Sequence, residues 1–284
     1  MTVLVFGRTG QVARALAVLC PEAVFLGREA ADLRDPSACA AAIRARRPHA
    51  VINAAAWTAV DDAETHEAEA LVINGEAPAA MARACAALAI PLVHISTDYV
   101  FAGGGDAPWR PGDPVAPCNA YGRTKRAGEV GIIAAGGTFG ILRTSWVFSA
   151  TGGNFLKTML RLSDTRDRLN VVGDQIGGPT PAVAIAAACL TMAETLRARP
   201  DLSGIYHLSG APDVSWAGFA REIFAQAGRA VTVEDIPSRA YPQPVRRPAN
   251  SRLDCSGLTQ AFGIARPDWR AEVGRILNEL GAVT

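Results

Sequence analysis

The stretch Val3-Leu-Val-Phe-Gly7-Arg-Thr-Gly10-Gln-Val-Ala13 decides the fold. Its apolar opening run has the length and unbroken hydrophobicity of a strand buried on both faces. Two glycines then turn the chain sharply, and a helix follows. A strand, a tight glycine turn and a helix N-terminus together aim backbone N–H groups and the positive end of a helix dipole at a pyrophosphate. Gly7 permits the turn, Gly10 lets backbone approach the ligand, and Ala13 keeps a third small position for close helix-to-strand packing, with Gln11 and Val12 in the first helical turn. Small residues placed there for packing alone are the competing reading.

Outward from this motif, apolar runs near 2–6, 23–26, 50–53, 91–95 and 139–143 alternate with helical stretches, as parallel strands with right-handed crossovers require. Asp35-Pro36 reads as a helix start and Arg46-Arg47-Pro48 as its end. Residues 63–89 predict one broken helix with Pro78 early in its second piece, and 102–120 a long surface loop beside the site. Beyond 150 the pattern gives a helix over 154–165, a strand over 168–172, a helix over 181–197, a strand over 204–208, a helix over 215–228 and a Pro/Arg-rich stretch over 237–253. The expected architecture is an α/β, Rossmann-type, doubly wound parallel sheet with a smaller C-terminal substrate-binding lobe. Residues 1–150 form the dinucleotide-binding part, 151–284 are largely the lobe, and about 168–210 partly return to the sheet.

A chain of 284 residues with 49% hydrophobic content has ample material for a core, and a net charge of +1 with 19% charged residues offers no basic stripe for nucleic acid and no acidic tail. The first apolar run enters the glycine turn directly, leaving no room for a signal-peptide core, and no stretch approaches a membrane span. A cytoplasmic protein without nucleic-acid or membrane partners is expected. Cys20, Cys39, Cys85, Cys118, Cys189 and Cys255 are scattered singly and read as reduced packing residues, with no metal site.

Tyr121 and Lys125, in Asn119-Ala-Tyr-Gly-Arg-Thr-Lys125, carry the chemistry. On a helix this spacing puts phenol and ammonium on one face, where the charge would lower the phenol pKa and make it a usable acid. Pro91-Leu-Val-His-Ile-Ser96-Thr97-Asp98-Tyr99 ends a strand in hydroxyls able to hold a reacting carbonyl. Thr97 is the candidate for that role and Ser96 the structural one; a strand-end threonine bonding its own backbone is the alternative.

Taken together, the Gly-x-x-Gly-x-x-Ala turn, the strand-end Ser-Thr and the Tyr-x-x-x-Lys resemble the extended short-chain dehydrogenase/reductase family. The blocks Asn53-Ala-Ala-Ala-Trp57-Thr58-Ala-Val60-Asp61, Ser96-Thr-Asp-Tyr-Val-Phe101, Arg143-Thr-Ser-Trp146-Val and Arg247-Pro-Ala-Asn-Ser-Arg252-Leu narrow the resemblance to the dTDP-4-dehydrorhamnose reductases, and they run in order along essentially the whole chain. The resemblance implies that Tyr121 protonates the ketone oxygen, that Lys125 also holds the nicotinamide ribose, that Asp32 and Leu33 lie by the adenine, and that Ala54, Ala55 and Ala56 line the dinucleotide. It further implies that Asp98 contacts the sugar.

Where NAD enzymes place an acid for the ribose 2′-hydroxyl, this chain reads Leu26-Gly27-Arg28, and a guanidinium suits a 2′-phosphate. With Arg8 in the turn, NADPH is favoured; Asp32 keeps NADH open. Trp146 is expected to face the cleft against a 6-deoxy sugar, with a core tryptophan as the alternative. Asn154, Gln175 and the cluster Arg246, Arg247, Asn250 and Arg252 supply donors for a diphosphate and sugar hydroxyls, Arg252 first among them. Relatives that dehydrate a hexose resemble Thr-Asp-Glu where this chain has Thr97-Asp98-Tyr99, which leaves elimination without its second carboxylate. Some relatives resemble a magnesium-bridged dimer using a glutamate where this chain has Ala15, so no required metal and a monomer or weak homodimer are expected. The resulting expectation is reduction of a dTDP-linked 4-keto-6-deoxy sugar. A cofactor-binding regulatory subunit, resembling that of methionine adenosyltransferase, and a reductase of another nucleotide-linked keto sugar stand as alternatives.

Overall fold

The computed structural model describes residues 1–242 and 244–283. Strands β1 (Val3–Phe6), β2 (Val24–Leu26), β3 (Ala50–Asn53), β4 (Leu92–Thr97) and β5 (Phe139–Thr144) alternate with helices α1 (Gln11–Leu19), α2 (Pro36–Arg46), α3 (Val60–Ala63), α4 (Glu67–Leu71), α5 (Ala77–Ala87) and α6 (Ala120–Ala134). Asp35 starts α2 by accepting the Ser37 and Ala38 N–H groups, and Arg47 ends it in the left-handed region at φ 44°. A π-helical turn, Val72–Glu76, breaks the alanine-rich segment, and Pro78 falls in the first turn of α5, where a missing N–H costs nothing.

The second half adds β6 (Val147–Phe148), α7 (Phe155–Ser163), β7 (Arg168–Val172), β8 (Ile176–Gly177), β9 (Thr180–Pro181), α8 (Ala182–Ala198), β10 (Gly204–Leu208), β11 (Val214–Ser215), α9 (Trp216–Gln226), β12 (Thr232–Ile236), β13 (Asn250–Ser251), α10 (Ser256–Phe262) and α11 (Trp269–Glu279). The main sheet is parallel throughout, in the order β10-β5-β4-β3-β1-β2. The chain leaves β1 for β2 on one side and returns for β3 on the other, so the topological switch lies between β1 and β3, where such sheets hold ligands. Alternation along β1 explains how both faces are filled. Leu4 and Phe6 join Ile43, Met81 and Ile141 under α2, α5 and α6, whereas Val3 and Val5 join Leu16, Ile185 and Met192 under α1 and α8. Each fully buried side chain of this size contributes roughly 1.5–3 kcal/mol.

Of the segments expected to return to the sheet, α8 and β10 do so, but β7 pairs with β12 in a separate two-stranded sheet. That sheet belongs to a third core containing Leu156, Phe219, Ile223 and Trp269. The sequence reading stopped short of β12, α10 and α11. For α11 the signal was present: Trp269, Val273, Ile276 and Leu277 are buried at helical spacing. Among the described residues no helix is long and apolar enough to cross a membrane, and all six cysteines are free thiols.

Candidate active site

The nucleotide end is built by β1, α1 and the end of β3. Gly7 has φ +116°, and a Cβ there would lie 3.2 Å from the Ala54 carbonyl, so only glycine allows the turn to approach β3 this closely. Gly10 caps α1 with no side-chain bond, and a Cβ built on it meets nothing within 4 Å. N–H groups left without a side-chain cap at a helix start are the donors that a pyrophosphate requires. Ala54, Ala55 and Ala56 follow β3 and are half-buried. The Val12 and Leu33 side chains are buried in the cores, so only their backbone remains available to a ligand. Of the two arginines expected to attract a 2′-phosphate, Arg8 is paired with Glu29 at 2.9 Å, while Arg28 is exposed. Asp32 accepts the Arg34 N–H at 3.0 Å.

The catalytic candidates converge where β4 ends against α6. Asn119 caps α6 through the Gly122 N–H, which fixes the first turn and with it Tyr121. The Thr97 hydroxyl donates to Asp98 Oδ1 at 3.1 Å and accepts the Tyr99 N–H at 3.2 Å, beside the Tyr121 phenol. Burial pushes Tyr121 up from its ordinary value, Thr97 pulls it back, and Asp98 and Tyr99 push it further. The expected lowering by Lys125 is absent. The buried ammonium donates instead to the Ile95 carbonyl at 2.7 Å and meets His94 Nε2 at 3.2 Å, and burial lowers its pKa to about 8 against the upward pull of Glu129. Desolvation is therefore the largest cause for both members of the pair, joined by the nearby Asp98 for Tyr121 and opposed by Glu129 for Lys125.

Asp98 is buried, and burial raises its carboxyl to about 6 although Ser251 and Thr97 pull it down. Its Oδ2 has no hydrogen-bond partner among the described residues. Ser96 is taken up below the site: its hydroxyl donates to Glu129 Oε1 at 2.7 Å, and Glu129 is bound in a two-pronged pair by Arg143 at 2.8 and 2.7 Å. Burial would raise Glu129, but Arg143, Ser96 and Arg126 outweigh it and hold the carboxyl below its usual range.

The lobe's expected sugar-binding residues are differently placed. Trp146, at φ +50°, stacks on Trp216 with centroids 3.6 Å apart, and Gly177 lies so close that a Cβ there would come within 2.9 Å of the ring. One indole face is thus taken by Trp216, while the side chain as a whole stays half-buried. Asn154 caps α7 through the Lys157 N–H and donates to Gln11 Oε1 at 2.9 Å and to the Ser149 carbonyl. Gln175 accepts from Trp216 Nε1 and donates to Ser238 Oγ. Arg252 donates to Asn250 Oδ1 at 3.0 Å, and Asn250 in turn pins the 102–120 loop through the Gly104 and Ala107 carbonyls. Arg247 pairs with Asp61 at 2.6 Å, and its charge opposes the upward shift of the Tyr99 phenol, whose ring packs edge-on to Tyr121 at 5.5 Å. Tyr99, His94 and Glu129 were missed as site neighbours because nothing in their local sequence shows which strand or helix they meet.

The family model described as RmlD substrate binding domain matches residues 1–282. A dTDP-4-dehydrorhamnose reductase of Sinorhizobium fredii is 44% identical over 286 residues, covering 98% of this chain and 97% of that protein. The crystal structure of a dTDP-4-dehydrorhamnose reductase from Clostridium acetobutylicum superposes with a TM-score of 0.92 at 33% identity, covering 99% of this chain and all of the other. That of the Bacillus anthracis enzyme in complex with NADP gives 0.90 at 32% identity over 98% and 99%.

Proposed function

The chain belongs to the dTDP-4-dehydrorhamnose reductase family, and from that premise we propose that Tyr121, Thr97 and Lys125 carry the NADPH-dependent reduction of the C4 ketone of dTDP-4-dehydro-L-rhamnose to dTDP-L-rhamnose. When bound, the reduced nicotinamide supplies the hydride. The N–H groups at the start of α1 hold the pyrophosphate, Ala54–Ala56 line the dinucleotide, and Arg28 faces the 2′-phosphate. Thr97 hydrogen-bonds the ketone oxygen, and Tyr121, kept protonated by burial, delivers its proton to the charge developing there. Lys125, one helical turn along from Tyr121, holds the ribose and supplies positive charge beneath the site. Asp98 Oδ2, a buried acceptor without a donor, takes a sugar hydroxyl, and Arg247 faces the sugar nucleotide from the lobe. With Ala15 in place of an acid, the protein acts as a monomer or weak homodimer without a bridging metal.

The observation that carries this reading is the convergence of Thr97, the Tyr121 phenol and the buried Lys125, held by the Ile95 carbonyl, at the carboxyl end of β4 in the sheet that bears the glycine turn. Loss of reduced-nicotinamide absorbance with a panel of nucleotide keto sugars tests it, the rhamnose precursor being turned over fastest. Tyr121→Phe keeps NADPH affinity and loses roughly 100- to 10,000-fold in kcat. Unchanged turnover in that variant removes the phenol as the acid. Tight cofactor binding without ketone-dependent oxidation in the unaltered protein points to a regulatory subunit instead.

A further inference from the structure

His94 sits on β4 beneath the site, fully buried between Asn53 and Lys125. The protonation of its ring follows from a chain of hydrogen bonds with one fixed end. The Ala55 backbone N–H can only donate, and it donates to Asn53 Oδ1 at 3.1 Å. The Asn53 amide therefore turns its NH2 toward His94 Nδ1, 3.1 Å away, and Nδ1 must accept. A neutral imidazole then carries its single proton on Nε2, which faces Lys125 Nζ at 3.2 Å. An ammonium has three donors and no lone pair, so that contact is a hydrogen bond only when Lys125 is an amine. We propose that His94 is a positioning residue for Lys125: fixed by Asn53 as the Nε2–H tautomer, it presents a donor to the lysine nitrogen, favours the amine over the ammonium, and so sets the upper pH limit of turnover.

The surroundings agree with this assignment. Burial and the neighbouring lysine both hold His94 far below its ordinary pKa, so it stays neutral at working pH. The charge nearest Lys125 on α6 is Glu129, which favours the ammonium but is itself bound by Arg143 of β5 and by Arg126. Asn53 of β3 is neutral, and Asp98 lies beyond the end of β4. Arg83 on α5, Glu76 on the π-helical turn, and Glu194 and Arg197 on α8 are exposed. His94 is thus the polar group that opposes Glu129 at the lysine nitrogen.

The inference takes the part of Lys125 in turnover from the proposed function, so its test includes readouts that do not depend on turnover. The chain has only two lysines, Lys125 and Lys157, and four histidines, which makes both residue types readable by NMR with selective isotope labels. The unaltered protein should show His94 as the Nε2–H tautomer across the working pH range. In His94→Phe the Lys125 titration should move up by roughly half to one pH unit, together with the alkaline limb of kcat/KM. In His94→Gln, whose amide can still donate, both should stay near their original positions. An Nδ1–H tautomer overturns the proposal, as does a Lys125 titration that His94→Phe leaves in place. If His94→Phe does not fold, the tautomer and the Gln variant decide. A Lys125 titration that shifts while turnover with every keto sugar is absent leaves the positioning of Lys125 by His94 standing and removes the proposed function with its pH limit.

Discussion

The main sheet and the C-terminal lobe differ in what their polar atoms already do. On the sheet side the α1 N–H groups are uncapped, Asp98 Oδ2 lacks a donor and Arg28 extends into solvent. On the lobe side Asn154 and Asn250 donate to backbone carbonyls, Gln175 bonds Trp216 and Ser238, and Trp146 is stacked on Trp216. A side chain able to recognise a diphosphate or a sugar becomes a recognition group only with capacity left after its internal bonds are counted. The sheet side is therefore preorganised for ligand, whereas much of the lobe's polarity holds the lobe together.

The largest effect should come from breaking a committed group. Removing one partner of the Glu129–Arg143 pair leaves a buried charge uncompensated, so Glu129→Ala should lower unfolding free energy by about 3–5 kcal/mol, read from the urea midpoint. A loss under about 1 kcal/mol would place the pair with surface salt bridges and weaken the contrast between committed and open groups.

Open groups should do the opposite, changing binding while leaving the fold alone. Asp98→Asn replaces a charged acceptor with a neutral one and should raise the KM for the sugar nucleotide roughly 10- to 150-fold, with little change in melting temperature. The unaltered enzyme carries the same signature in pH. Its carboxyl is raised to about 6, so the acceptor is ionised above that pH and protonated below it. KM should therefore climb as pH falls through about 6 and level off in Asp98→Asn, where there is no carboxyl to protonate. A smaller change belongs to Arg28, whose replacement by Ala should weaken NADPH by roughly fivefold to tenfold and leave NADH unchanged, as measured by fluorescence titration. Equal loss for both cofactors would mean the guanidinium does not read the 2′-phosphate.

The same contrast explains what was legible in the sequence. Gly7, Gly10, Pro36, Pro78 and the Tyr121–Lys125 spacing each express a constraint satisfied within one turn or one helix, and every main-sheet strand of the first half lies within a few residues of its expected place. The direction in which Lys125 points is not local: it is set by the Ile95 carbonyl and by His94, on a strand that meets α6 only in the folded protein. Trp146 reads as a ligand platform in isolation because its neighbours, Trp216 and Gly177, come from distant segments. β7 and β12 are strands of ordinary composition, and only pairing reveals that they form their own sheet.

Asn154 gives the finest test, because it joins the two sides. Its Oδ1 caps α7, while its Nδ2 reaches Gln11 at the start of α1, where the glycine turn ends. If it belongs to the scaffold, Asn154→Ala loses the cap and costs about 1 kcal/mol of stability, while the KM for sugar nucleotide moves less than twofold. Asn154→Asp retains an oxygen for the Lys157 N–H and should recover the cap, but it turns a carboxylate toward Gln11 Oε1, an acceptor that already receives Ser149 Oγ at 2.8 Å. That variant should regain stability against urea and lose some affinity for NADPH through the displaced Gln11. A large rise in sugar-nucleotide KM for both variants, with stability unchanged, would instead make Asn154 a ligand contact and move the boundary between open and committed groups into the lobe.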